Sequence, residues 1–154
     1  LVERELLGTE LVEAFKRKGI ESHFIYGKTP KKRRDYLLRA FENRDFKVLI
    51  GGKIINRGLD LAGGCENLVI ATGGKLHSEF EQKIGRALRK NKLGRSRVFD
   101  FFFKCNKHLY KHSKSRLEAM IRLKYDTRVV FPGGVIDGQK LVSGRYNIPR
   151  KYIR

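Results

Sequence analysis

Four short apolar runs punctuate the chain as far as residue 103: SHFIY at 22–26, KVLI at 47–50, NLVIA at 67–71 and RVFDFFF at 97–103. Segments of helical periodicity alternate with them, and that alternation implies right-handed crossovers and a parallel sheet. The expected class is therefore α/β. KVLI is nearly all apolar, as a strand covered on both faces should be. Between residues 5 and 18 the side chains of Leu7, Leu11, Ala14 and Phe15 share one helical stripe, and Lys16 to Lys18 followed by Gly19 form a helix stop. After the turn-like GKTP, Thr29 can cap a second helix with Pro30 at its first position, turning Tyr36, Leu37, Ala40 and Phe41 inward. Past residue 104 the pattern becomes a basic helix over about 106–125 and then a Gly-rich extended tail to Arg154, with FPGG and a turn at IDGQ. The reading thus divides the chain into an α/β domain at 1–104, its first strand truncated, and a basic helical and extended extension at 105–154.

Composition narrows the partner. Thirty-five Lys and Arg oppose 16 acids, a net charge of +19, which favours a polyanion and nucleic acid before a membrane surface. Cys65 and Cys105 stand far apart in unlike surroundings, so no disulfide framework is suggested and a reducing, intracellular compartment (cytoplasm, nucleoid or nucleus) is expected. No apolar run approaches the length of a membrane span, and no signal peptide is recognisable, which fits a soluble protein without a membrane partner. Leu1-Val2 reads as the end of a strand, as in a fragment of a longer protein.

QKIGRALRK, residues 82–90, is the most informative segment. Ser78 and Glu81 have capping-box spacing, so a helix starts near residue 79. At roughly 100° per residue, Phe80, Ile84, Ala87 and Leu88 gather on one side, with Gln82, Arg86 and Arg89 opposite. Gly85 flanks the polar stripe at a cost of about 1 kcal/mol relative to Ala, explicable if another backbone or a phosphate must come close. Periodicity alone is equally compatible with a solvated basic face.

Upstream, IGGKIINRGLDL at 50–61 leaves a buried strand through two glycines and ends in Arg-Gly-Leu-Asp. That segment followed by Q-x-x-G-R-x-x-R resembles motifs V and VI of the superfamily 2 helicases, whose motor consists of two RecA-like domains. VER from Val2, the YGKT turn, FENRDFKVLI, RGLDL, the 79–90 helix and the VFDF strand follow the order of the second RecA-like domain. Gln82, where DEAD-box RNA helicases have His, together with GGK at 73–75, ALRK at 87–90 and HSKSR at 112–116, resembles the DNA-directed branch of UvsW, XPB-type and restriction-motor proteins.

The resemblance implies an ATP-driven helicase or translocase acting on DNA in preference to RNA, with ATP and Mg²⁺ held mainly by an N-terminal RecA-like domain. Arg86 and Arg89 match the arginine fingers that stabilise charge on the transferring phosphoryl group, an effect worth about 10³ to 10⁵ in rate. Gln82 matches a residue that orders the nucleotide site. Asp60 matches the motif V acid, and Gly58 would permit close backbone approach. A planar, permanently charged guanidinium suits such a role, and lysine would not replace it. Loops leaving the strands would grip the nucleic-acid backbone, here Gly27, Lys28 and Thr29, then Gly52 and Lys53, then Thr72 and Lys75. Gly52 departs from a pattern in which Thr or Ser commonly supplies a hydroxyl. Two other classes stay open: a nucleic-acid-binding domain without ATP turnover, and a protein-interaction module.

Other signals are weaker. GKT at 27–29 lacks the Gly that a P-loop needs at position 22, where Ser22 stands, and no D-E-x-H or D-E-x-D stretch offers magnesium ligands. Cys105, His108 and His112 have metal-like spacing but no fourth ligand nearby, so no metal site is expected. Asp100 reads as a strand-end carboxylate ordering loops, and Phe99 with Phe101 to Phe103 as core.

Overall fold

A computed structural model describes residues 2, 5–52, 65–71, 94–103 and 106–145. They fall into two compact units, one holding the described residues up to Asp100 and the other those from Phe101 onward. In the first unit, α1 (Glu5–Arg17) leads to β1 (Ser22–Ile25), α2 (Lys31–Glu42) to β2 (Val48–Gly51), and two further strands follow, β3 (Asn67–Ile70) and β4 (Arg97–Asp100). Strands β1 and β2 pair in parallel, as do β3 and β4. Val2 links the pairs: its amide donates to the Gly51 carbonyl at 2.8 Å, and it forms a parallel bridge with Ala71. The α/β class with parallel strands is thus the observed one.

The helix ends explain why these segments stop where they do. At the end of α1 the Ile20 amide donates to Phe15 O and the Gly19 amide to Lys16 O, with Gly19 at φ +68°. This is a Schellman closure, and glycine adopts its left-handed residue without strain. Helix α2 closes in the same way through Asp45 to Ala40 and Arg44 to Phe41, although Arg44, at φ 66°, carries a side chain there. Arg44 then pairs with Glu66, fastening the end of α2 to the approach to β3.

The two faces of the β1–β2 pair are covered differently. Ile25, with Leu49 beside it, packs on Leu37, Ala40, Leu38 and Phe41 of α2 and on Phe46, and His23 meets the Phe46 ring edge-on at 4.5 Å. On the other face Phe24 lies so close to α1 that a Cβ on Gly8 would come within 2.3 Å of its ring. Tyr36, expected inside, is 60% exposed instead, with the Arg33 guanidinium 5.3 Å over its ring. Leu38 contributes to the core in its place. The aromatic run also departs from expectation. Phe99 and Phe101 are 49% and 51% exposed, and Phe101 lies beyond β4, which ends at Asp100.

In the second unit, α3 (Lys107–Arg122) is capped by Asn106, whose side chain accepts from the amides of His108 and Leu109. Strands β5 (Arg128–Phe131) and β6 (Gly134–Asp137) form an antiparallel hairpin, and α4 (Gly138–Val142) follows. Residues 128–142 are therefore a hairpin and a short helix rather than an extended tail. Val129, Phe131 and Ile136 of the hairpin join Phe102, Leu117, Ile121, Leu141 and Val142 in one apolar cluster. The IDGQ segment is not a free turn, since Asp137 caps α4 by accepting from the Gln139 amide at 2.7 Å.

Candidate nucleic-acid interface

Parallel pairing sends the C-terminal ends of β1 and β2 to one edge. Ile25 lies opposite Gly51, and the Gly52 amide donates to the Ile25 carbonyl at 2.8 Å. Beyond Ile25 the chain turns through Tyr26 to Thr29, and this turn is tied twice at its base. Thr29 donates its amide to Tyr26 O at 3.0 Å, while its hydroxyl accepts from the Tyr26 amide at 3.1 Å. Thr29 is consequently not the cap of α2, which begins after Pro30 without a side-chain cap. Its hydroxyl is directed back at the strand because the turn leaves the Tyr26 amide in need of an acceptor.

This clasp leaves Gly27 and Lys28 exposed at the tip. Among the described residues, neither of their amides donates to a backbone acceptor, so two N–H groups and an ammonium are presented together. No atom lies within 4 Å of where a Cβ on Gly27 would stand. At Gly52 a Cβ would meet Ile25 O and Tyr26 Cβ at 3.5 Å, ordinary contact, so the backbone there accepts a side chain. The structure thus brings Gly52 beside Ile25 and Tyr26, where the Gly27–Thr29 turn begins. Val2 connects Gly51 to Ala71 across the row of strand ends.

Lys53, Gly58, Asp60, Thr72, Lys75, Gln82, Arg86 and Arg89 lie outside the described residues. Sequence reasoning passed over two features. One is the first turn of α2, where Lys31, Lys32 and Arg33 are exposed and no acid stands, although a helix N-terminus favours anions over cations. The signal, KKRR directly after Pro30, was legible. The other is the pair Ser113 and Arg116, buried on α3. Ser113 Oγ accepts from the Phe103 amide at 3.0 Å, and Arg116 Nη2 donates to the Phe101 carbonyl at 2.9 Å. Within HSKSR, the i and i+3 positions thus hold the chain that leaves β4.

Cys65 is buried, and burial pushes its thiol up from the ordinary value, as for a packed side chain rather than a nucleophile. Cys105 lies outside the described residues, and among those residues no three His, Cys, Asp or Glu side chains gather where they could hold a metal ion. No described helix is long and apolar enough to cross a membrane.

Residues 3–91, more than half of the chain, match the helicase conserved C-terminal domain. The chain belongs to that helicase C-terminal domain family. Solved structures agree on the fold. The C-terminal domain of the DEAD-box protein Dbp5 superposes with a TM-score of 0.60 at 20% identity, over 79% of this chain and 66% of that one. S. cerevisiae Dbp5 bound to RNA and ADP BeF3 gives 0.57 at 23% identity, over 82% of this chain and 32% of that one. T4 UvsW gives 0.60 at 15% identity, over 79% of this chain and 28% of that one. No curated protein matches. These identities establish the fold and do not choose between the DEAD-box and UvsW branches.

Proposed function

We propose that this helicase C-terminal domain is the second motor half of an ATP-dependent helicase or translocase, and that its strand-end rim grips a nucleic-acid backbone. The rim carries the reading: a tied turn leaves Gly27 and Lys28 exposed, their amides without a backbone acceptor among the described residues, at the strand edge where Gly52 meets Ile25, in a chain of the helicase C-terminal domain family. Amides supply short-range donors and lysines supply sequence-independent charge, with Thr29, Lys53, Thr72 and Lys75 extending the surface. Arg86 and Arg89 would serve as arginine fingers, Gln82 would order the nucleotide, and Gly58 and Asp60 would line its approach. ATP and Mg²⁺ are assigned mainly to an N-terminal RecA-like domain, where the metal would neutralise phosphate charge. The α/β motor part is assigned to 1–104 and an accessory extension to 105–154, in an intracellular protein.

DNA is the proposed polyanion and the UvsW-like branch the proposed home, supported by Gln82 and by the UvsW likeness. RNA is the second reading, favoured by the likeness to Dbp5, which was solved with RNA. The test is a salt titration of duplex DNA and RNA binding. Replacing Lys28, Lys53 and Lys75 together by Ala should weaken binding and flatten its log-log salt dependence by roughly one unit for each phosphate that is no longer neutralised. Replacing Lys16 and Lys18, exposed at the end of α1, should scarcely matter beyond a small screened effect. Equal loss per charge removed would mean diffuse binding and no rim, and tighter, steeper RNA binding would reverse the choice of DNA.

A further inference from the structure

Helix α3 has an exposed face that the motor reading does not use. Lys107, Lys111, Lys114, Glu118 and Arg122 fall within an arc of about 80° at ~100° per residue. The side facing away from them carries the buried Ser113 and Arg116. The first and last of these charges are fifteen positions apart, which gives a stripe about 22 Å long. Lys124 is exposed just past the helix end. Four cations of the stripe thus accompany one carboxylate, and that carboxylate stands 3.8 Å from Lys114.

The arrangement is unfavourable for the first turns of the helix. Lys107 and Lys111 are like charges at i and i+4, and Lys111 and Lys114 at i and i+3. The first turn contains no acid, although the dipole favours one there. Lys124 sits at φ 60°, where glycine would be unstrained. Both α1 and α3 end in basic residues, but α1 opens on an acid, Glu5, where α3 has none. Lys107 and Lys111 are therefore placed against local stability, whereas Lys114 pairs with Glu118 and Arg122 suits the last turn, and a polyanion lying along the helix would relieve the repulsion and occupy the stripe.

We propose that this face of α3 is a second contact surface for the sugar-phosphate backbone of nucleic acid. It is separate from the strand-end rim and depends on the motor reading only for the identity of the polyanion. Duplex DNA carries a charge about every 1.7 Å of its axis, so a stripe of this length meets several phosphates. The stripe is a row of charges with a single carboxylate and no aromatic side chain, which suits phosphate contact rather than base readout.

The experiment compares variants of the full chain binding a fluorescein-labelled duplex of about 30 base pairs across salt concentrations. Replacing Lys107, Lys111 and Lys114 by Gln should weaken binding at least about tenfold near 0.1 M salt and lower the log-log slope by about two to three units. The melting temperature should hold or rise, because like-charge repulsion is removed. A control replacing Lys16, Arg17 and Lys18 by Gln removes the same charge and should change affinity by less than about threefold. Equal losses in the two variants, or no loss in the first, overturn the proposal. Arg at the same three α3 positions should restore binding, and failure to do so would mean that charge is not what binds. Retained DNA binding with abolished binding to phosphatidylserine vesicles would assign the stripe to a membrane and likewise refute it. The Lys28, Lys53 and Lys75 variant run alongside separates the two claims. Loss there alone removes the α3 surface and leaves the rim, and loss only with the α3 variant does the reverse.

Discussion

Replacing Gly27 by Ala should raise stability and lower nucleic-acid affinity at once. The turn residue has no heavy atom within 4 Å of a Cβ position, and its φ is not in the left-handed range, so the folded state accepts a methyl group without strain. The unfolded chain loses conformational freedom, which favours folding by about 0.4–1 kcal/mol. Binding should respond in the opposite sense. If a phosphate is held by the exposed amides of Gly27 and Lys28, a methyl group in that open space pushes it away. A hydrogen bond to a charged group contributes about 1.5–3 kcal/mol, and at about 1.4 kcal/mol per factor of ten its loss predicts roughly 10- to 100-fold weaker binding. Urea denaturation and fluorescence anisotropy on the same preparations measure the two effects. A lower urea midpoint would show that the turn geometry described above is wrong. An unchanged dissociation constant with the expected gain in stability would show that no ligand approaches Gly27. A glycine kept only for folding, or an exposed tip with no role, would not produce the split in sign.

Two further outcomes follow from other parts of the molecule. In the full-length protein, Arg86→Lys and Arg89→Lys should each cut ATP turnover at least about tenfold while leaving melting temperature and DNA affinity nearly intact, since charge is kept and the planar fork is removed; a parallel fall in melting temperature would indicate a structural role. Arg116→Ala should cost about 2–4 kcal/mol of stability by urea denaturation, because Arg116 is 1% exposed and its removal strips the Phe101 carbonyl of a donor; a change below about 0.5 kcal/mol, as for an exposed substitution, would mean that water replaces the guanidinium.

Much of the motor fold was legible from local pattern. The four strands were placed to within a residue or two at their starts, and the Gly19 stop of α1 is the expected closure, because apolar runs and a left-handed glycine act over a few residues. The candidate site was legible as residue types only. GKT and IGG could be named as strand-end loops, but that both leave one edge, with Gly52 against Ile25 and Tyr26, depends on β1 pairing with β2 in one register. Thr29 shows the limit of local reasoning. As a cap before Pro30 it satisfied every sequence rule, and it was drawn instead to the Tyr26 amide by the closing of the turn.

The sequence by itself determined the α/β alternation, the surplus of cations and the order of helicase-like motifs, because period, charge and spacing are properties of neighbouring residues. Only the tertiary structure decided where that order stops. Tyr36 and Phe99 satisfy an inward pattern yet lie exposed, because burial depends on whether another element packs over a face. Ser113 and Arg116 read as members of a basic helix, yet they are buried. The backbone leaving β4 needs polar partners away from water, and the helix that carries them comes close only in the folded chain.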